Sequence, residues 1–80
     1  MFGKMDKKDR IRACYQHACL KYVANDKMTN QSLRGRFNIA DENAAIASRI
    51  IKDTLEAGLV KEDDPDNKSR KYVRYIPAWA

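Results

Sequence analysis

Between Asp41 and Gly58 the apolar residues recur every three or four positions, and this stretch constrains the fold more than any other. At 100° per residue, Ala44, Ala47, Ile50, Ile51, Thr54 and Leu55 gather on one side of a helix. Ala45, Arg49, Lys52 and Glu56 gather on the other. Asp41 is a good N-cap, Glu42 adds negative charge at the positive end of the helix dipole, and Gly58 stops the helix after Ala57. A helix with one apolar side is built to seal a core and to present its other side outward. With eighty residues in all, that core is modest. A free-standing ATPase, polymerase or Rossmann enzyme is excluded by length alone.

The partners of this helix are legible on either side of it. Residues 1–6 read as a loose tail and 7–80 as one domain. From Lys7 to Val23 the stripe Ile11, Tyr15, Ala18 and Tyr22, with Cys14 beside it, predicts a first amphipathic helix that Asn25-Asp26 breaks. Met28 stands alone among polar residues and fits a very short strand or a core plug. Thr29 and Asn30 both suit an N-cap, Leu33 and Phe37 follow four apart, and Asn38 suits a left-handed C-cap. A two-turn helix from Asn30 to Phe37 results. After Gly58, Leu59-Val60-Lys61 and a second run from Arg70 to Ile76 flank the turn-rich stretch 63–69, the pattern of a β-hairpin. Pro77 is expected to end that ladder, and Trp79 to anchor the C-terminus against the helices. Tyr15, Tyr22 and Phe37 are expected in the core. Tyr72 and Tyr75 alternate in the strand, so only one of them faces inward.

The residue inventory narrows the chemistry. Cys14 and Cys19 lie five apart on a helix, where a disulfide is geometrically poor, and His17 alone cannot complete a metal site with them. Free thiols in a reducing compartment follow, and the N-terminal stretch has no apolar core of a signal peptide. No run is long enough to span a membrane, so a cytoplasmic protein is expected. His17 lacks an acidic or nucleophilic companion, and Thr29 and Ser32 lack a base, so no catalytic residue and no cofactor is assigned. Asp63, Asp64 and Asp66 are not followed by the Gly and Glu of a calcium loop. Sixteen Lys and Arg against eleven Asp and Glu give a formal net charge of +5, which favours an anionic partner.

Helix, short helix, tight turn, longer helix and hairpin is the order of a winged helix-turn-helix, an α+β fold. In that fold the third helix faces the major groove of double-stranded DNA and the hairpin, or wing, lies along the backbone. Arg49 and Lys52, with Ala45 and Ser48 on the same face, are then the candidate base readers. Arg34 and Arg36 on the second helix, and Lys68, Arg70, Lys71 and Arg74 on the wing, are candidate phosphate contacts. Solvated surface is the competing reading for each, supported on the third helix by a Lys52–Glu56 pair at i,i+4. Glu42, Glu56 and the wing-tip acids oppose close approach to phosphates.

From about Arg10 to Ala80 the chain resembles the C-terminal winged-helix module of bacterial RecG-related proteins. These are ATP-dependent DNA helicase-related proteins or transcriptional regulators that carry a Schlafen-like divergent AAA module ahead of this segment. The matching residues are Met28 to Phe37, Ala47-Ser48-Arg49-Ile50-Ile51, Glu56-Ala57-Gly58-Leu59-Val60 and the ending Tyr75-Ile76-Pro77-Ala78-Trp79-Ala80, the most specific part. The resemblance implies a DNA-binding module detached from, or truncated relative to, an ATP-binding parent. No G-x-x-x-x-G-K-[ST] is present, so helicase activity would belong to parts outside this chain. The alternative function is a regulatory module docking to an ATP-binding partner without DNA. One small module buries too little for tight DNA binding, so a homodimer or the parent domain is an expected partner.

Overall fold

The computed structural model of the chain describes residues 6–63 and 73–80. The first helix, α1, runs Lys7–Val23. Asp6, assigned to the tail by sequence, caps it: its carboxylate accepts the Asp9 N–H at 2.8 Å. Ala24 closes the helix and Asn25 turns the chain at φ 61°, a left-handed conformation that asparagine tolerates.

The buried side of α1 is rotated from the expected stripe. Cys14, His17 and Ala18 are buried, whereas Ile11, Tyr15 and Tyr22 are only half-buried. The reason lies at the C-terminus. Trp79 donates its indole N–H to the Tyr15 hydroxyl at 2.8 Å and meets the Tyr22 ring edge-on, with centroids 5.6 Å apart. The two tyrosines therefore form a flank that receives the tail, while the smaller Cys14 and Ala18 allow closer approach of the core.

The second helix, α2, spans Asn30–Phe37 and is closed at both ends as the sequence indicates. Thr29 Oγ1 accepts the Ser32 N–H and Ser32 Oγ accepts the Thr29 N–H, a reciprocal cap. Asn38 ends the helix at φ 58°. The third helix differs from expectation at its start. Asp41–Asn43 form a single 3-10 turn, and α3 proper runs Ala44–Glu56 with no side-chain cap. Asp41 does not cap α3 because it opens the 3-10 turn, two residues ahead of the cap position at Asn43, and its carboxylate faces Arg34 of α2 instead. Gly58, at φ 75°, supplies the expected stop.

Ala47, Ile50, Ile51 and Thr54 of α3 are buried against Cys14, Ala18, Met28, Leu33, Phe37 and Val60. The Thr54 hydroxyl satisfies itself by donating to the Ile50 carbonyl at 2.7 Å. Ala44 and Leu55, expected on the apolar side, sit half-buried at its margin.

Strand β1, Val60–Glu62, pairs antiparallel with β2, Tyr75–Pro77, in the register Val60 to Pro77, Lys61 to Ile76 and Glu62 to Tyr75. Pro77 is the last residue of β2, paired with Val60 one position beyond the expected strand end at Ile76, and one further bond follows it, from Ala78 N–H to the Leu59 carbonyl at 2.9 Å. β2 is shorter than the predicted strand: Val73 and Arg74 precede it, and residues 70–72 lie outside the described residues. Met28 fulfils both of its expected roles. It is fully buried, and it exchanges two backbone hydrogen bonds with Tyr75. Three helices and a two-stranded antiparallel sheet make an α+β fold consistent with a winged-helix layout. Among the described residues no helix is long and apolar enough to cross a membrane.

Candidate nucleic-acid interface

Because α3 buries Ala47, Ile50, Ile51 and Thr54, its 3.6-residue repeat turns Ala45, Ser48, Arg49 and Lys52 outward, and all four are exposed. The face they form is split between two flanks. Ser48 and Lys52 look toward α2 and the sheet, across a groove of about 580 Å³ also lined by Arg34, Glu62 and Tyr75. Ala45 and Arg49 look toward the first turns of α1 across a second groove. Arg49 and Lys52 make no hydrogen bond or ion pair among the described residues, and Lys52 does not pair with Glu56. The C-terminal tail lies on α1, and Lys61 holds it there through its ammonium to the Ala80 carbonyl, so the outward face of α3 is left open.

Arg34 is engaged within the protein. Its Nε donates to Asn30 Oδ1 at 2.7 Å and its Nη1 to the Asp41 carboxylate, and its side chain is only 17% exposed. Asn30 in turn donates to Ser48 Oγ at 2.9 Å and to the Ala44 carbonyl at 3.1 Å. Asp41, Arg34, Asn30 and Ser48 therefore form a chain of hydrogen bonds that fixes the start of α3 against α2. The Ala44 carbonyl and one Ser48 acceptor are occupied by it, leaving the Ser48 hydroxyl proton free to donate outward. The sequence marks Asn30 only as a cap. Its hub position depends on residues 14 and 18 positions away, and no local pattern signals it.

Arg36 stands apart from Arg34. It is exposed on the α1-facing flank of α2, close enough to His17 to act on its charge. His17 is buried and its Nε2 lies 3.1 Å from Ser32 Oγ. Since Ser32 Oγ already donates to the Thr29 carbonyl, the imidazole Nε2–H is the donor to it. Burial, then Lys21 and Arg36, hold His17 below the ordinary histidine pKa, so the ring is neutral at pH 7. Arg74 is exposed at the entry to β2, and its carbonyl accepts the Asp63 N–H at 2.8 Å. Next to it Lys27 pairs with Asp63 at 3.1 Å. Lys68, Arg70 and Lys71, the remaining basic residues expected on the wing, lie outside the described residues, as do Tyr72 and the acids Asp64 and Asp66.

Cys14 is buried, and its thiol is pushed up to about 11 by desolvation. Both cysteines are free, and no group of His, Cys, Asp and Glu among the described residues is placed to hold a metal ion. No family model, no curated protein and no solved structure matches the chain.

Proposed function

We propose that the chain is a winged-helix module that binds double-stranded DNA, with α3 toward the major groove and Arg74 and its basic neighbours toward the backbone. The observation that carries this reading is the open face of α3. Arg49 and Lys52 stand on it without partners among the described residues, with Ser48 held by Asn30 on the Lys52 flank. A preset helix bearing unpaired cations meets phosphates or guanine edges at little cost in ordering. The formal charge of +5 supports the same partner. On this reading the module carries out no reaction of its own. The ending from Tyr75 to Ala80 supports a RecG-related parentage, in which an ATP-binding domain would supply any motor activity.

A titration of a fluorescent duplex at rising salt tests the proposal. Neutralising about three phosphates predicts a log–log slope of about −2.7. Arg49→Glu and Lys52→Glu should each weaken binding by about tenfold, uniformly across sequences if they touch only phosphate. A duplex that shifts no resonance of Ser48, Arg49 or Lys52 even at low salt would refute it. The second reading, a regulatory module that docks on a protein, rests on Trp79, which is 60% exposed although its indole is pinned to Tyr15. Binding to an ATP-binding partner with no salt-dependent DNA affinity would favour it.

A further inference from the structure

The groove on the other flank of α3 has a character that the DNA reading does not use. It encloses about 420 Å³ between the first turns of α1 and the outer edge of α3. Ile11, Ile46 and Ile50 floor it, and Ile46 remains 38% exposed although it is large and apolar. Lys7, Arg10 and Arg49 rim it. Among the described residues the single acid on its wall is Asp53, already faced by Lys7 at 4.0 Å. An apolar trough with a cationic rim is complementary to a ligand that is apolar on one side and anionic on the other.

Charge placement on α1 points the same way. Lys7, Lys8 and Arg10 crowd the positive end of the helix dipole, an arrangement that helix stability alone disfavours, with Asp6 and Asp9 offsetting it in part. Along α3 the groove extends from Ala45 to Asp53, about 12 Å at 1.5 Å per residue, which matches about two turns of a docked helix.

We infer that this groove receives an acidic amphipathic helix from a partner protein: its apolar side on Ile46, Ile11 and Ile50, its carboxylates on Lys7, Arg10 and Arg49. The surface is distinct from the Ser48–Lys52 side of α3, with Arg49 at the boundary between the two, so partner and duplex approach neighbouring faces. The inference does not rest on DNA binding and stands or falls separately.

The test uses the intact chain with labelled isoleucine methyl groups and a synthetic helical peptide with leucine on one side and glutamate on the other. The control peptide keeps the leucines and replaces every glutamate with lysine. The expected result is saturable movement of the Ile11, Ile46 and Ile50 methyls, at least about tenfold weaker for the control. Ile46→Ser should lower affinity for the acidic peptide by about tenfold, the loss of one apolar anchor. Lys7→Glu should lower it by about threefold at low salt, with no risk to folding because the Lys7 side chain is 73% exposed. Equal response to both peptides, movement confined to other methyls, or no saturation at about millimolar peptide would overturn the inference. So would displacement of the same methyls by duplex DNA instead, which would make the groove part of the nucleic-acid surface. Loss of DNA binding with peptide binding intact would refute only the earlier proposal.

Discussion

Ser32 carries three hydrogen bonds on one hydroxyl, and replacing it with alanine tests how α1 and α2 are locked together. The Oγ accepts the Thr29 N–H at 2.9 Å and the His17 Nε2–H at 3.1 Å, and donates to the Thr29 carbonyl at 3.0 Å. In Ser32→Ala the Thr29 groups are half-buried and water replaces much of what they lose, leaving a deficit of about 0.5–1.5 kcal/mol. His17 is 8% exposed, so its ring N–H is stranded, at about 1–3 kcal/mol. Alanine's better helix propensity returns only about 0.5 kcal/mol. The net expectation is a loss of about 1–4 kcal/mol, a large part of the roughly 4–12 kcal/mol that a domain of this size commands. In a thermal melt followed by circular dichroism, that corresponds to a fall of roughly 5–30 °C in Tm. A double-mutant cycle with His17→Leu isolates the pair, and a coupling of about 1 kcal/mol or more is expected. A Ser32→Ala loss below about 0.5 kcal/mol, or a coupling indistinguishable from zero, would refute the account of His17 as a structural donor.

The same histidine sets a pH dependence. Its folded pKa lies below the unfolded value, so the unfolded chain binds the extra proton. Its contribution is therefore complete above about pH 6.5 and is lost as pH falls below it, and urea melts should show this slope diminished in His17→Leu. Thiol chemistry should separate the cysteines: at pH 8 Ellman's reagent is expected to modify half-buried Cys19 well before Cys14, whose thiol is held at about 11, and simultaneous reaction of both would contradict the burial of Cys14. Gly58→Ala should destabilise by about 1 kcal/mol through its positive φ alone, since a Cβ there meets nothing within 4 Å, and Gly58→Asn by less. Asn30→Ala breaks the links to Ser48, Ala44 and Arg34 together, and should cost about 1–3 kcal/mol by chemical denaturation.

Where periodicity and end signals agreed, sequence alone located the elements. The limits Lys7–Val23 and Asn30–Phe37 follow from stripes closed by Asn25 and Asn38, both residues that accept a left-handed backbone. What escaped was tertiary. Asp41 is a residue type that caps helices, but a 3-10 turn sets the start of α3 three residues later, and the carboxylate pairs with Arg34 instead. The α1 stripe pointed at Tyr15 and Tyr22, and only the position of Trp79, 64 residues from Tyr15, explains why those rings sit at the rim. Pro77 was expected to end the ladder because it lacks an N–H, and it is the last residue of β2, although Ala78 adds one more bond to Leu59. Among the candidate contacts, the outward turn of Arg49 and Lys52 was legible from helical spacing. The commitment of Arg34 to Asn30 and Asp41 was not, because a surface arginine and an internal tether look the same in a one-dimensional pattern.

The exchange of backbone bonds between Met28 and Tyr75 has a consequence for how the chain is made. A ribosome delivers residues in order, and Met28 emerges long before the strand that completes its pairing. Until Tyr75 and the strand it opens are released, the Met28 N–H and carbonyl beside the buried Cys14 thiol lack the backbone that pairs with them. Sealing of this side of the core therefore waits on a segment made some fifty residues after α1, however far the helices have formed before it.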